Sequence, residues 1–383
     1  LNFSNNNEIK SNNLIDVGCS ICAAISLFKS SDNVITLNNM TQGMDTGIRI
    51  DTLSNNNKVE LNNIGNFGVV GITIASSSEN NNIISNYIKN SGYGIVIDSD
   101  NNFVTSNIIE NIAAYGILVT GTPYVKNAFN NKITSNVLDD NNVGIVLNLA
   151  SNTIVDSNII NAGEDDHYGI VFGDATDTKI ISNVLSGLGL PETTGIASDT
   201  YYNSLFNNIV SNNSVSDFEF GIRINDVNSS FHSNLINGNI NGIVLNGAVK
   251  NKIYDNFVIG NENGILISSG HQDNIIYNNF FNNTRNVRYD YPQYDVFNFW
   301  NITKTRGRNI VGGPYLGGNF WSDYTGKDIN KDGIGDTNLP YNSNGSIKNG
   351  GDYLPLVQQT RKPMPPILGN LTRAVNITNF SCC

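Results

Sequence analysis

A Gly-Ile dipeptide opens a short apolar run at Gly47, Gly71, Gly94, Gly116, Gly144, Gly169, Gly195, Gly221, Gly242 and Gly264, and Ala24-Ile25 extends the series backward. The spacings range from 21 to 28 residues, with a mean of about 24. In a run such as Gly94-Ile95-Val96-Ile97-Asp98 side chains alternate with period two, so the isoleucines share one face and Val96 takes the other. A second element recurs between these runs, as Ile83-Ile84-Ser85-Asn86-Tyr87-Ile88, Ile133-Thr134-Ser135-Asn136-Val137-Leu138 and Ile253-Tyr254-Asp255-Asn256-Phe257-Val258. Each unit therefore predicts two or three short β segments, none able to bury enough apolar surface alone. Stacked at about 4.8 Å, such units pair their backbones with their neighbours and share one Ile/Val/Leu core. The pattern predicts an all-β, right-handed parallel β-helix of about eleven coils, a rod on the order of 50 Å long.

Asparagine recurs at one register, at Asn62, Asn86, Asn107, Asn136, Asn158, Asn183, Asn212, Asn234 and Asn256. A carboxamide both donates and accepts, so stacked amides predict a hydrogen-bonded ladder. Asparagine also tolerates the left-handed conformation of tight corners. With 69 Asn and 36 Gly in 383 residues, over a quarter of the chain disfavours helix interiors, which excludes a helical protein. Only 14% of residues are charged, which argues against charge-maintained disorder.

Lys plus Arg number 22 against 33 Asp plus Glu, a net charge of −11. Neutralising nucleic acid needs clustered cations, so nucleic acid is not an expected partner. No apolar run reaches the roughly 18 residues of a membrane span. The chain opens at Leu1 on repeat-like residues, as expected if a leader has been removed or the chain is a fragment. The four cysteines lie at the extremities: Cys19 and Cys22, then Cys382 and Cys383. Cys19 and Cys22 could form a local disulfide, but adjacent cysteines strain to bridge each other, so a tail ending Cys382-Cys383 suits bonding to other thiols, and the four are read as intermolecular disulfide partners.

After about residue 285 the period stops, giving an expected division into 1–288 (β-helix), 289–357 (closing module) and 358–383 (Pro-containing linker and Cys-terminated tail). Asn298-Phe299-Trp300-Asn301 and Asn319-Phe320-Trp321-Ser322 carry both tryptophans. Asp328, Asn330, Asp332 and Asp336, with Gly333 and the Ile334 carbonyl position, match the first nine positions of an EF-hand-like calcium loop. Position twelve is Leu339 instead of Glu, so a structural Ca2+ would need a remote carboxylate such as Asp323 or Asp352.

The repeats, the Asn-Phe-Trp motifs, the Asp-rich loop and Gly351-Asp352-Tyr353-Leu354-Pro355-Leu356 together resemble the NosD-like β-helix surface proteins abundant in methanogenic archaea. The likeness covers most of residues 20–357, and its specific part is the C-terminal module. It implies a right-handed β-helix with an aromatic, Asp-rich closing module and a secreted or cell-surface location. Copper handling is not carried over, because His167, His232, His271, Met40, Met44 and Met364 form no Met/His cluster.

Right-handed β-helices also house polysaccharide-active enzymes, so catalytic candidates need weighing. These are Arg49 with Asp51, Arg223 with Asp226, and Glu164-Asp165-Asp166-His167. Arg49 and Arg223 lie seven units apart, roughly 34 Å, and no convergent set emerges. The chain is therefore expected not to be an enzyme but a structural subunit of an extracellular layer, sheath or filament. Its copies would join head to tail as a homopolymer through β-helix ends and disulfides. A glycan-binding surface module or adhesin is the alternative, and a polysaccharide lyase, hydrolase or epimerase the third reading.

Overall fold

The computed structural model describes residues 1–18, 22–121, 128–163, 167–199, 206–290, 297–347 and 349–358. The Glu164-Asp165-Asp166 run, Cys19, Cys382, Cys383 and the tail from residue 359 lie outside the described residues. Within them the chain is an all-β, right-handed parallel β-helix. A representative coil consists of strands Asn82–Ile84, Tyr87–Lys89 and Tyr93–Ile97. The first of these joins a stack of twelve short parallel strands from Glu8–Lys10 to Ile275–Tyr277. The other two belong to a larger sheet that turns a corner where Ile108–Thr120 and Val137–Asn148 run continuously through it.

Ile83, Ile88, Ile95 and Ile97 point inward and are fully buried, each contributing about 2 kcal/mol by burial. In-register pairing places like on like: Ile83 sits between Val59 and Val104, and Ile95 between Ile72 and Ile117. The glycine of each Gly-Ile is dictated by this stacking. A Cβ on Gly144 would lie 2.4 Å from the Gly169 carbonyl oxygen and 2.9 Å from Ile160 Cγ2, so the bend at this corner has room only for hydrogen.

The corner between the first two strands carries the amide ladder. Asn107 Nδ2 donates to Asn136 Oδ1 at 3.0 Å and to the Ile83 carbonyl at 2.9 Å, while Asn136 Oδ1 also accepts the Asn107 backbone N–H at 2.9 Å. The same links run from Asn12 to Asn319. The member expected at Asn212 is Asn213; Asn212 precedes it at φ +57. At this corner the left-handed residue is the one before the ladder, as in Ser85, Ser106 and Ser135.

A second ladder occupies the corner before the first strand, at Asn7, Asn33, Asn57, Asn81 and Asn102, and again at Asn251, Asn274 and Asn298. Each Asn-Phe-Trp motif extends one ladder. Asn298 accepts from Asn274, Asn319 accepts from Asn279, and Trp300 and Trp321 turn into the core. Trp321 stacks on Phe281 at 4.6 Å and on Tyr341 at 4.5 Å, so aromatic rings carry the isoleucine core on into the C-terminal region.

Asn136→Ala removes the acceptor of two buried donors and the donor to the Val104 carbonyl. At 1–3 kcal/mol for each buried group left unpaired, the variant should lose about 3 kcal/mol or more of stability. Chemical denaturation measures this; a loss below about 1 kcal/mol would mean the ladder is not what holds the corner.

Candidate functional site

Along the Gly-Ile strands the outward column runs Arg49, Thr73, Val96, Leu118, Val146, Val171, Ala197, Arg223 in continuous register. Arg49 and Arg223 are thus seven coil steps apart, about 34 Å, as the spacing predicts. Arg49 pairs with Asp45 at 3.1 Å rather than with Asp51. Arg223 pairs with Asp199 at 3.7 Å, on the neighbouring coil. Asp226 is turned inward and completely buried, and His167 is exposed.

Between these arginines lies a cleft of about 390 Å³ on the outer face, floored by Leu118, Val146 and Val171. Tyr115 and Tyr168 flank it on one side, Thr120, Asn148 and Asp199 on the other. Val146 and Ala197 point outward yet are only 9% and 0% exposed, so the floor is already sheltered. The Arg223 guanidinium reaches across two coils to lie 5.9 Å from the centre of the Tyr168 ring. Two polar atoms are buried without a hydrogen-bond partner at this end of the face, Asn148 Oδ1 and Arg223 Nε. A buried acceptor and donor left open cost about 1–3 kcal/mol each until something pairs with them. The cleft leaves a sign in the sequence. Tyr-Gly-Ile occurs at Tyr93, Tyr115 and Tyr168, and the residue before each glycine faces out.

The Asp-rich loop satisfies its own backbone. Asp328 accepts the N–H groups of Asp332 and Gly333, Asp332 accepts that of Ile334, and Asp336 accepts those of Ile329 and Asn330. Asp332 also receives Lys304 Nζ. The two remote carboxylates are engaged elsewhere. Asp323 accepts from Tyr341 and Asn286, and Asp352 accepts from Trp321 Nε1, Asn319 N and Leu354 N. Calcium binding here is a proposal. If Ca2+ is held by Asp328, Asn330, Asp332, the Ile334 carbonyl and Asp336, millimolar Ca2+ should raise the thermal midpoint over EDTA by several degrees, and Asp332→Asn should abolish the difference. Identical midpoints would dismiss it.

Among the described residues copper finds no matching donor set. His167, His232 and His271 sit on separate coils, Met40 is in the core and Met44 is exposed. Among the described residues no group of three or more His, Cys, Asp or Glu is placed to hold a metal. Met364 lies outside the described residues. Cys22 is disulfide-bonded, and the other three cysteines lie outside the described residues.

The sequence matches the NosD family, described as periplasmic copper-binding protein, over residues 1–131, 89–190 and 122–326. The chain belongs to this family. No curated protein matches it. Among solved structures it is similar to a tailspike protein of E. coli bacteriophage HK620 in complex with pentasaccharide, at 11% identity and TM-score 0.53, covering 77% of this chain and 60% of that one. It thus spans about 60% of the tailspike chain. A mannuronic acid specific family 6 polysaccharide lyase from human gut microbiota is similar at 10% identity and TM-score 0.48, covering 74% and 80%. A surface adhesin of Streptococcus pneumoniae is similar at 12% identity and TM-score 0.34, covering 73% and 83%. The expectation that the chain is not an enzyme is corrected by this comparison. The likeness to the tailspike establishes the fold alone; fold does not decide function, and the lack of a carboxylate cluster legible in sequence is no ground for excluding catalysis. No helix of the described residues is long and apolar enough to cross a membrane.

Burial pushes the Asp226 carboxyl up from 3.8 to about 6, against the lowering effect of Ser229, Asn208 and the Val227 N–H. Burial likewise pushes Asp352 up to about 7. A carboxyl whose folded pKa exceeds its unfolded one holds its proton more tightly when folded. Its stabilisation is full below about pH 4 and is lost as pH rises through the folded pKa. For Asp226 this difference is about 3 kcal/mol. The thermal midpoint should therefore fall between about pH 4 and pH 7, and Asp226→Asn should flatten the part of that fall below about pH 6. A midpoint independent of pH over this range would contradict the burial of both carboxyls.

Proposed function

We propose that this chain is a glycan-binding β-helix acting outside the cytoplasm, with the cleft between Tyr115 and Arg223 as its site. The observation that carries the reading is the cleft's chemistry. Tyrosine rings offer apolar faces beside Asn148, Asp199, Thr120 and Arg223, the combination that takes up the C–H faces and hydroxyls of a sugar. A tailspike of the same architecture in complex with a pentasaccharide supports it, as does membership of a family described as periplasmic.

The structural-subunit reading rests on the cysteines at the extremities, Cys19, Cys22, Cys382 and Cys383, as intermolecular links, with copies of this chain as the partner. Native material running as one monomer band on gels with and without reductant would set the polymer reading aside; a ladder collapsing on reduction would restore it.

Retention of the purified chain on a panel of immobilised polysaccharides tests the glycan reading. Retention by at least one, weakened about tenfold in Tyr168→Ala, is expected. A chain retained by none of them would overturn it.

A further inference from the structure

Resting on that reading, we infer that the cleft takes a neutral, extended 1,4-linked pyranose chain lying parallel to the β-helix axis, with alternate rings on Tyr115 and Tyr168. Tyr115 pairs in register with Val143, and Val143 with Tyr168, so the two tyrosines are two coil steps apart, about 9.6 Å. An extended, equatorially linked pyranose chain advances by about one coil rise per ring and turns each ring over relative to the last. Platforms on every second coil therefore meet rings that present the same face. Tyr93, one coil before Tyr115 and edge-on to it at 5.5 Å, begins the row.

Polarity sets the class of sugar. The open acceptor Asn148 Oδ1 calls for a hydroxyl donor and the open donor Arg223 Nε for a hydroxyl acceptor. Among the described residues of the lining the charged one, Asp199, is matched by Arg223, so these residues offer no spare cation to a carboxylate, and the molecule carries −11 overall. A polyuronate would enter against that field. The described lining runs from the coil of Tyr115 to that of Asp199, three steps, about 14 Å, or roughly four rings at one ring per coil.

The test is calorimetry on the full chain with soluble neutral 1,4-linked oligosaccharides of one to seven rings (cello-, manno- and chito-series) and with oligomannuronate and oligogalacturonate of matched length. A neutral series should bind, with affinity climbing to about four rings and then levelling. Tyr115→Ala and Tyr168→Ala should each weaken binding about tenfold, and Asn148→Ala should weaken it with both tyrosines intact. Circular dichroism and the thermal midpoint identify any variant that fails to fold, and the length series on the unaltered chain stands without them. Stronger binding of the uronates, affinity independent of length, or folded tyrosine variants that bind undiminished would overturn this inference while leaving a glycan-binding protein. Binding of no polysaccharide in the wider panel would remove the underlying reading itself.

Discussion

The structure depends on one constraint, the stacking of coils at the interstrand spacing with every residue above its counterpart. At about 4.8 Å a side chain at a given register packs on its counterparts in the coils above and below, so the interior favours residue types that pair with their own kind. Isoleucine meets this by packing. Asparagine meets it because its oxygen accepts from the coil on one side while its nitrogen donates to the coil on the other, as between Asn107, Asn136 and Asn158. Glycine meets it at the Gly-Ile bend by having no side chain to place against the next carbonyl. Those three requirements explain why a chain of such narrow composition folds.

The same constraint decided what was legible in the sequence. The fold could be read because the isoleucine beat and the principal ladder are consequences of stacking, repeated often enough to stand out. The slip from Asn213 to Asn212 came at an Asn-Asn doublet, where composition cannot distinguish the corner residue at positive φ from the ladder residue after it. The second ladder went unread for a similar reason, since Thr153, Thr178 and Ser229 interrupt it and asparagine is common everywhere else. After residue 285 the rungs continue at wider sequence spacing: Asn298 and Asn319 are further members of the two ladders.

The candidate site was harder to see, because outward positions are under no stacking requirement and carry no period. Arg49 and Arg223 drew notice as charges in an apolar run, yet their partners proved to be Asp45 and Asp199. The latter lies on another coil, and only the register could show it. The tyrosines were visible as three Tyr-Gly-Ile triplets, but their meaning depends on Val143 standing between two of them, on the shelter of Val146 and Ala197, and on the open atoms of Asn148 and Arg223. A regular interior thus fixes the spacing of an irregular exterior, and the cleft draws its function from that spacing.

The measurement that tests this account most directly is a crystal structure of the chain with a neutral 1,4-linked oligosaccharide. The account predicts a sugar chain running along the β-helix axis, with one ring on Tyr115, the next but one on Tyr168, and hydroxyls at Asn148 Oδ1 and Arg223 Nε. A sugar lying across the coils, or bound on another face with these atoms still open, would contradict it.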